Sequence, residues 1–171
     1  MNERKRAITF EGQPLTLLGE EIRLNQTAPD ATVLDNTLNP VGVSDFRGKI
    51  VIVSSVPSLD TPVCDAQTRR FNVEAAALGD DVKILTISMD LPFAQARWCG
   101  MTGVDAVKTL SDHRDAAFGR AYGVLIKELR LLARAVFVVD RSGTIRCVQL
   151  VGEITDEPDY EAVLRAVREL V

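Results

Sequence analysis

Four β-branched residues in a row, Ile50-Val51-Ile52-Val53, stand between Lys49 and Pro57, and they limit the fold more than any other stretch. A short run that is apolar at every position reads as a strand buried on both faces, the kind found in a largely parallel sheet. Parallel strands need crossovers. A helical segment from Pro62 to Leu78, stopped by Gly79, supplies the first. Val82–Met89 alternates enough to be the next strand. Pro92–Cys99 reads as a helix stopped by Gly100, and Ser111–Tyr122 as another stopped by Gly123.

The flanks add antiparallel pieces. Ala7–Phe10 and Leu15–Leu18 form a hairpin around Glu11-Gly12, and Ala135–Asp140 and Ile145–Val151 form a second around Arg141-Ser142-Gly143-Thr144. Residues 25–48 are turn-rich, with Pro29, Asn36, Asn39-Pro40 and Gly48. Near the carboxyl end Tyr160, Val163, Leu164, Val167, Leu170 and Val171 share one helical face. From the first buried strand onward the order is strand–helix–strand–helix–helix–strand–strand–helix. That is the layout of a thioredoxin-like α/β sandwich, here with an N-terminal β-hairpin.

With 171 residues, the chain is expected to form a single domain over 1–171. Its 46% hydrophobic and 26% charged residues exclude whole-chain disorder. The net charge is −4, and the longest basic cluster is Arg4-Lys5-Arg6, a poor match to the phosphates of a nucleic acid. No apolar run has the length of a membrane helix, and Met1–Phe10 lacks the apolar stretch of a signal peptide. The expectation is a cytoplasmic protein without membrane or nucleic-acid partners. The three cysteines, Cys64, Cys99 and Cys147, are odd in number and widely spaced, contain no Cys-x-x-Cys, and accompany a single histidine, His113. They make neither a secreted disulfide framework nor a zinc site. No metal or cofactor is expected. Isolated cysteines in a reducing compartment are either buried small residues or redox groups.

The most informative segment is Pro57-Ser58-Leu59-Asp60-Thr61-Pro62-Val63-Cys64. Thr61 suits a helix N-cap and Pro62 the first helical position, which puts Cys64 in the first turn. Unpaired backbone N–H groups and the helix dipole favour a thiolate there, and the thiolate is the nucleophilic form. The Thr61 hydroxyl can turn back toward the sulfur or a bound substrate, and Pro57 and Pro62 stiffen the loop. Asp65 opposes the scheme by its charge, with Arg69 or Arg70 placed to offset it. The same geometry would equally serve a buried structural cysteine.

Pro-x-x-x-Thr-x-x-Cys, filled by Pro57, Thr61 and Cys64, resembles the active-site motif of the peroxiredoxins. Ser58–Cys64, Asp90–Cys99 and Glu153–Tyr160 resemble its bacterial thiol peroxidase branch, and the likeness runs from about residue 7 to the carboxyl end. That resemblance implies a thioredoxin-like fold with an amino-terminal hairpin. It implies that Thr61 and Cys64 act with a distant arginine just before a late strand, which Arg134 matches, and that Cys99 is the resolving cysteine. Bottom-up, Arg134 would pass for an ordinary charge at a strand edge and Cys99 for a spare thiol. Two features depart from the family pattern: Trp98 stands where a smaller aromatic is usual, and Lys127–Leu131 is a short version of the pocket-rim loop.

The cycle so implied reduces hydrogen peroxide or an organic hydroperoxide. Cys64 attacks the peroxide, Thr61 and Arg134 orient it, Cys99 closes an intrachain disulfide, and a thioredoxin-like dithiol reopens it. Branch members are commonly homodimers, so a homodimer is expected. Two rivals remain: a thioredoxin-fold redox sensor without turnover, and a disulfide oxidoreductase, weakened by the missing Cys-x-x-Cys. Cys147, in mid-strand, reads as packing, His113 as a surface or capping residue, and Trp98 and Phe93 as pocket or core packing.

Overall fold

The computed structural model describes residues 1–171. Strands β1 (Glu3–Phe10) and β2 (Gln13–Leu18) form the expected amino-terminal hairpin. Its turn residues Glu11 and Gly12 both have positive φ, 49° and 78°, the handedness a two-residue hairpin turn requires. The short strand β8 (Leu125–Ile126) adds to β2 to make a three-stranded sheet. Gly19 ends the hairpin against the segment before β8, where a Cβ would run into the Arg120 carbonyl.

The main sheet has seven strands. Its centre is β5 (Ile50–Ser55), every residue of which is buried, as the β-branched run implies. β5 runs parallel to β6 (Val82–Ser88), and β6 parallel to β7 (Lys108–Ser111). On the other side β9 (Ala135–Val139) is antiparallel to β5, and β10 (Ile145–Leu150) pairs with β9 as the late hairpin. β3 (Thr32–Leu34) and β4 (Pro40–Gly42) close the far edge, giving the order β10-β9-β5-β6-β7-β3-β4.

Helices cover one face: α1 (Pro62–Leu78), α2 (Pro92–Thr102) and α4 (Tyr160–Arg168). Beneath them lie Ile50, Ile52, Ile84, Val136 and Val138, with Phe71, Val163 and Val167 from the helices. The hairpin and α3 (Ala117–Ala121) cover the other face, over Val51, Val53, Leu85, Ile87 and Phe137. α4 is the amphipathic helix expected. Asp159 caps it by accepting from the Ala162 N–H at 3.0 Å, and Val163, Leu164 and Val167 are buried. Each such side chain contributes about 1.5–3 kcal/mol by leaving water. Val171, placed on that face by spacing, lies beyond the helix end and is exposed.

Three expectations need correction. The helix read as Pro92–Cys99 continues through Gly100 to Thr102, and its left-handed cap is Gly103 (φ 69°). Glycine inside a helix is a cost, whereas the stop requires the residue that takes the left-handed conformation. The helix read as Ser111–Tyr122 is two elements. Lys108–Ser111 is captured as β7 by pairing with β6, and Asp112 accepts from Phe118 N (3.0 Å) and Gly119 N (2.8 Å), so helix begins only at Ala117. Burial raises the Asp112 carboxyl pKa, and those N–H bonds oppose it. Finally, the turn-rich 25–48 region contains β3, β4 and one 3₁₀ turn, Val43–Phe46. No helix is long and apolar enough to cross a membrane.

Candidate active site

β5 ends at Ser55, and the chain crosses Pro57 before α1 starts above the sheet. Thr61 is the N-cap, with its Oγ1 accepting from Cys64 N at 3.4 Å, and Pro62 is the first helical residue. Cys64 therefore sits in the first turn as the local signals predict, fully buried. The Thr61 hydroxyl gives its proton to the Ser58 carbonyl, 3.1 Å away, so it holds the loop closed and does not point its O–H at the sulfur. Asp65 is engaged twice, with Arg69 Nε at 2.8 Å and Trp98 Nε1 at 3.0 Å. Arg69 is thus its counter-ion, while Arg70 pairs with Glu74 one turn on.

Arg134 leads into β9 and is 1% exposed. A buried guanidinium needs partners at every donor edge. Its Nη2 donates to Cys64 Sγ at 3.3 Å, its Nη1 to Gln67 Oε1 at 2.8 Å, and its Nε to the Ile154 carbonyl at 2.9 Å. Gln67 is fixed in turn by donating to Ser54 Oγ at 2.6 Å. The cation thus lies against the sulfur with its plane set by three bonds, a geometry that aims its N–H groups at the sulfur and at any second acceptor beside it. Sequence reasoning missed Gln67. The available signal was its position three residues after Cys64, on the same helical face.

The other two family-like segments anchor the first. Asp90 accepts from Ser58 Oγ (2.7 Å), Leu59 N (2.8 Å) and Ser88 Oγ (2.7 Å), pinning the cysteine loop to the end of β6. Glu153 accepts from Thr9 Oγ1 (2.6 Å), Glu11 N (3.0 Å) and Gly12 N (3.1 Å), tying the hairpin turn to the strand of chain whose Ile154 carbonyl holds Arg134. The Thr9 hydroxyl, followed by those backbone N–H groups, holds the Glu153 carboxyl down at a pKa of about 2. A cleft of about 400 Å³ opens beside these groups, lined by Phe10, Pro57, Leu129, Leu131, Ile154 and Thr61, with Arg134 among its walls. The short Lys127–Leu131 rim supplies two of its apolar side chains.

Cys99 is elsewhere. It lies in the last turn of α2, where its carbonyl accepts the capping Gly103 N–H at 3.0 Å, and not at the helix end as its sequence implies. Its Sγ is 3.4 Å from Thr109 Oγ1 on β7, while Thr109 gives its own proton to Asn36 Oδ1 at 3.1 Å, so the thiol is the donor to Thr109. Cys64 is held against the residue leading into β9 and Cys99 against β7. In the sheet order β5 and β6 lie between β9 and β7. The structure thus brings Pro57, Thr61, Cys64 and Arg134 together and leaves Cys99 apart, with all three thiols free.

Cys147 is half-buried on β10, where burial first and Asp159 second raise its thiol pKa. His113 is hydrogen-bonded through Nδ1 to Ser111 Oγ at 3.0 Å. Trp98 is packed as expected, but Phe93 is 68% exposed and lines a shallow groove with Leu91, Trp98 and Met101.

Residues 23–164 match the Redoxin family. The chain is 58% identical over 164 residues to a thiol peroxidase of Bacillus subtilis, covering 96% of this chain and 98% of that one. It is 56% identical over 162 residues to the thiol peroxidase of Halalkalibacterium halodurans, covering 95% and 97% of the two chains. Among solved structures, a peroxiredoxin-like protein from Aquifex aeolicus superposes with a TM-score of 0.91 at 41% identity, covering 97% of this chain and 98% of that one. A thiol peroxidase from Chromobacterium violaceum shares the fold, with a TM-score of 0.84 at 19% identity and 95% of each chain covered.

Proposed function

The chain belongs to the Redoxin family and reduces peroxides at the expense of a thiol, and from that premise we propose that Cys64 is the attacking residue and Cys99 its resolving partner. One observation carries the assignment: the Arg134 guanidinium lies 3.3 Å from a buried cysteine sulfur in the first turn of a helix. The Cys64 thiolate attacks the outer peroxide oxygen, the O–O bond breaks, and water or an alcohol leaves as Cys64 becomes a sulfenic acid. Arg134 donates to the peroxide and to the charge that grows on the leaving oxygen. Thr61 shapes the pocket through its cap and its bond to Ser58, and Pro57 walls it. The apolar cleft accommodates the alkyl group of an organic hydroperoxide as well as hydrogen peroxide.

Cys99 then condenses with the sulfenic acid, releasing water and forming an intrachain disulfide that a thioredoxin-like dithiol reduces. Each thiol is held by a different partner, Cys64 by Arg134 and Cys99 by Thr109, so in this reading α2 and the first turn of α1 leave their packed positions to bring the Cα atoms within the roughly 4.4–6.8 Å of a disulfide. In this reading residues 1–171 work as one thioredoxin-like domain in the cytoplasm, where such donors operate. The protein pairs as a homodimer through the apolar surface that exposes Leu91, Phe93 and Met101. The deciding experiment is a steady-state assay with thioredoxin and its reductase on hydrogen peroxide and several organic hydroperoxides. Turnover that requires Cys64 is the expected result. Disulfide formation that consumes a single equivalent of peroxide without sustained turnover would identify a redox sensor instead.

A further inference from the structure

The helix-covered face of the main sheet changes character along its strands. Ile50, Ile52, Val82 and Ile84 make one part of it apolar. Nearer the cysteines it carries hydroxyls. Ser54 pairs with Thr86 and Thr86 with Thr109 in the strand registers, so three hydroxyl side chains stand side by side on β5, β6 and β7. Alternation puts this row under the helices, because Ile84, two residues before Thr86, packs there. The two outer members are engaged: Ser54 by Gln67 of the Arg134 network at 2.6 Å, and Thr109 by the Cys99 thiol at 3.4 Å and by Asn36 at 3.1 Å. The row therefore runs from the surroundings of one redox cysteine to the other.

Its middle is unfinished. Thr86 is 1% exposed and its Oγ1 has no hydrogen-bond partner. Gln95, which α2 sends down to the same face, is 0% exposed and donates to Ser88 Oγ at 3.0 Å and to the Leu110 carbonyl at 2.8 Å, yet its Oε1 is also unpartnered. Only one other buried side-chain polar atom lacks a partner, Tyr122 Oη, on the opposite face. A buried hydroxyl or amide oxygen without a partner penalises the packed state, and water satisfies it once the covering helix lifts.

We propose that Thr86 and Gln95 are a release built into the sheet floor where α1, over β6, meets α2, over β7, which sets how fast Cys99 leaves the sheet to reach oxidised Cys64. The inference rests on the Cys64–Cys99 pairing proposed above. Thr86 touches no reacting atom and is a positioning residue. Two reactions compete for the Cys64 sulfenic acid. Cys99–SH condenses with it to give the disulfide and water. Alternatively a second peroxide oxidises it to the sulfinic acid and becomes an alcohol or water. The release decides the ratio between them.

The test uses Thr86→Val, which keeps the shape and removes the hydroxyl, and Thr86→Ser, which keeps the hydroxyl. Trp98, the chain's only tryptophan, donates to Asp65 of α1 at 3.0 Å, so its fluorescence follows separation of α2 from α1. After mixing with one equivalent of hydrogen peroxide, Thr86→Val should show an unchanged oxidation phase and a disulfide phase about tenfold slower. In excess peroxide, mass spectrometry should find about tenfold more Cys64 sulfinic acid. Thr86→Ser should behave within about twofold of wild type. In the reduced protein, amide exchange over residues 92–102 should be slower in Thr86→Val. A disulfide phase within about twofold of wild type, unchanged exchange, or a Thr86→Ser protein as slow as Thr86→Val overturns the proposal. A wild-type protein that never forms the Cys64–Cys99 disulfide would instead sink the pairing, and the exchange measurement would still judge the release.

Discussion

Cys64 and Cys99 are carried by neighbouring helices over one face of one sheet, and they are held in opposite ways. Around Cys64 every strong donor has found an acceptor: Arg134 bonds the sulfur, Gln67 and the Ile154 carbonyl, and Gln67 bonds Ser54. Asp90 and Glu153 lock the flanking loops from outside. Around Cys99 the packing is looser. The residue is half-buried in a last helical turn, the side chain it bonds is a threonine, and the floor beside it leaves Thr86 Oγ1 and Gln95 Oε1 unpaired. Removing a satisfied network of this kind costs more than removing isolated contacts, so rigidity is concentrated where a peroxide must be oriented. Ease of opening is concentrated where a thiol must travel.

The sharpest way to break that contrast is to remove each sulfur in turn. Cys64→Ser should reduce thioredoxin-coupled peroxide consumption to background in a protein whose circular dichroism is unchanged, because serine is not a thiolate nucleophile. Substantial turnover would end the assignment. Cys99→Ser should still consume one peroxide per chain and accumulate a sulfenic acid that dimedone traps, but lose sustained turnover. In oxidised wild type, non-reducing peptide mapping should find Cys64 joined to Cys99 in monomeric material. A dominant Cys64–Cys147 link would defeat the pairing.

Arg134→Lys probes the rigid side alone. Lysine keeps the charge but loses the planar fork, leaving the sulfur, Gln67 and the Ile154 carbonyl without a common donor. Cys64 oxidation followed by stopped flow should slow by about a hundredfold, the scale of losing one preorganised donor. An unchanged rate constant would remove Arg134 from the chemistry.

The outer lock is testable by pH. The Glu153 carboxyl lies at a pKa of about 2 in the fold against an ordinary 4.5, depressed first by the Thr9 hydroxyl. A depressed carboxyl stabilises the fold above its ordinary pKa, and that stabilisation is lost as pH falls from 4.5 toward 2. Glu153→Gln should therefore lower the melting temperature by a constant amount above pH 5, with the gap from wild type closing as pH falls toward 2. A gap that persists at the lowest pH would assign the effect to packing. The smallest change is expected from Cys147→Ala. Burial and then Asp159 raise that thiol's pKa, which disfavours its nucleophilic form, so turnover should stay within about twofold.

What local sequence decides is visible in α1. Thr61, Pro62, Cys64 and the stop at Gly79 are signals that act within a few residues, and the helix forms with the bounds they dictate. The all-apolar β5 and the hairpin turn at Glu11-Gly12 are of the same kind. Arg134 is different: it reaches Cys64 across 70 residues, and only the family motif pointed to it, since before an apolar strand it looks like any edge charge. Where two local signals competed, tertiary contacts chose. Gly100 and Gly103 both could stop α2, and the left-handed backbone fell at Gly103. Lys108–Ser111 became a strand because β6 offered it a ladder. Thr86 is the extreme case. In sequence it is a β-branched residue well suited to any strand, and only the registers of β5, β6 and β7 set its hydroxyl between Ser54 and Thr109 under a helix. Caps and turns are settled by bonds a few residues long, so the sequence determined them alone. Which polar groups meet, and which are left without partners, depends on pairings between segments far apart in the chain, and only the assembled sheet decided those.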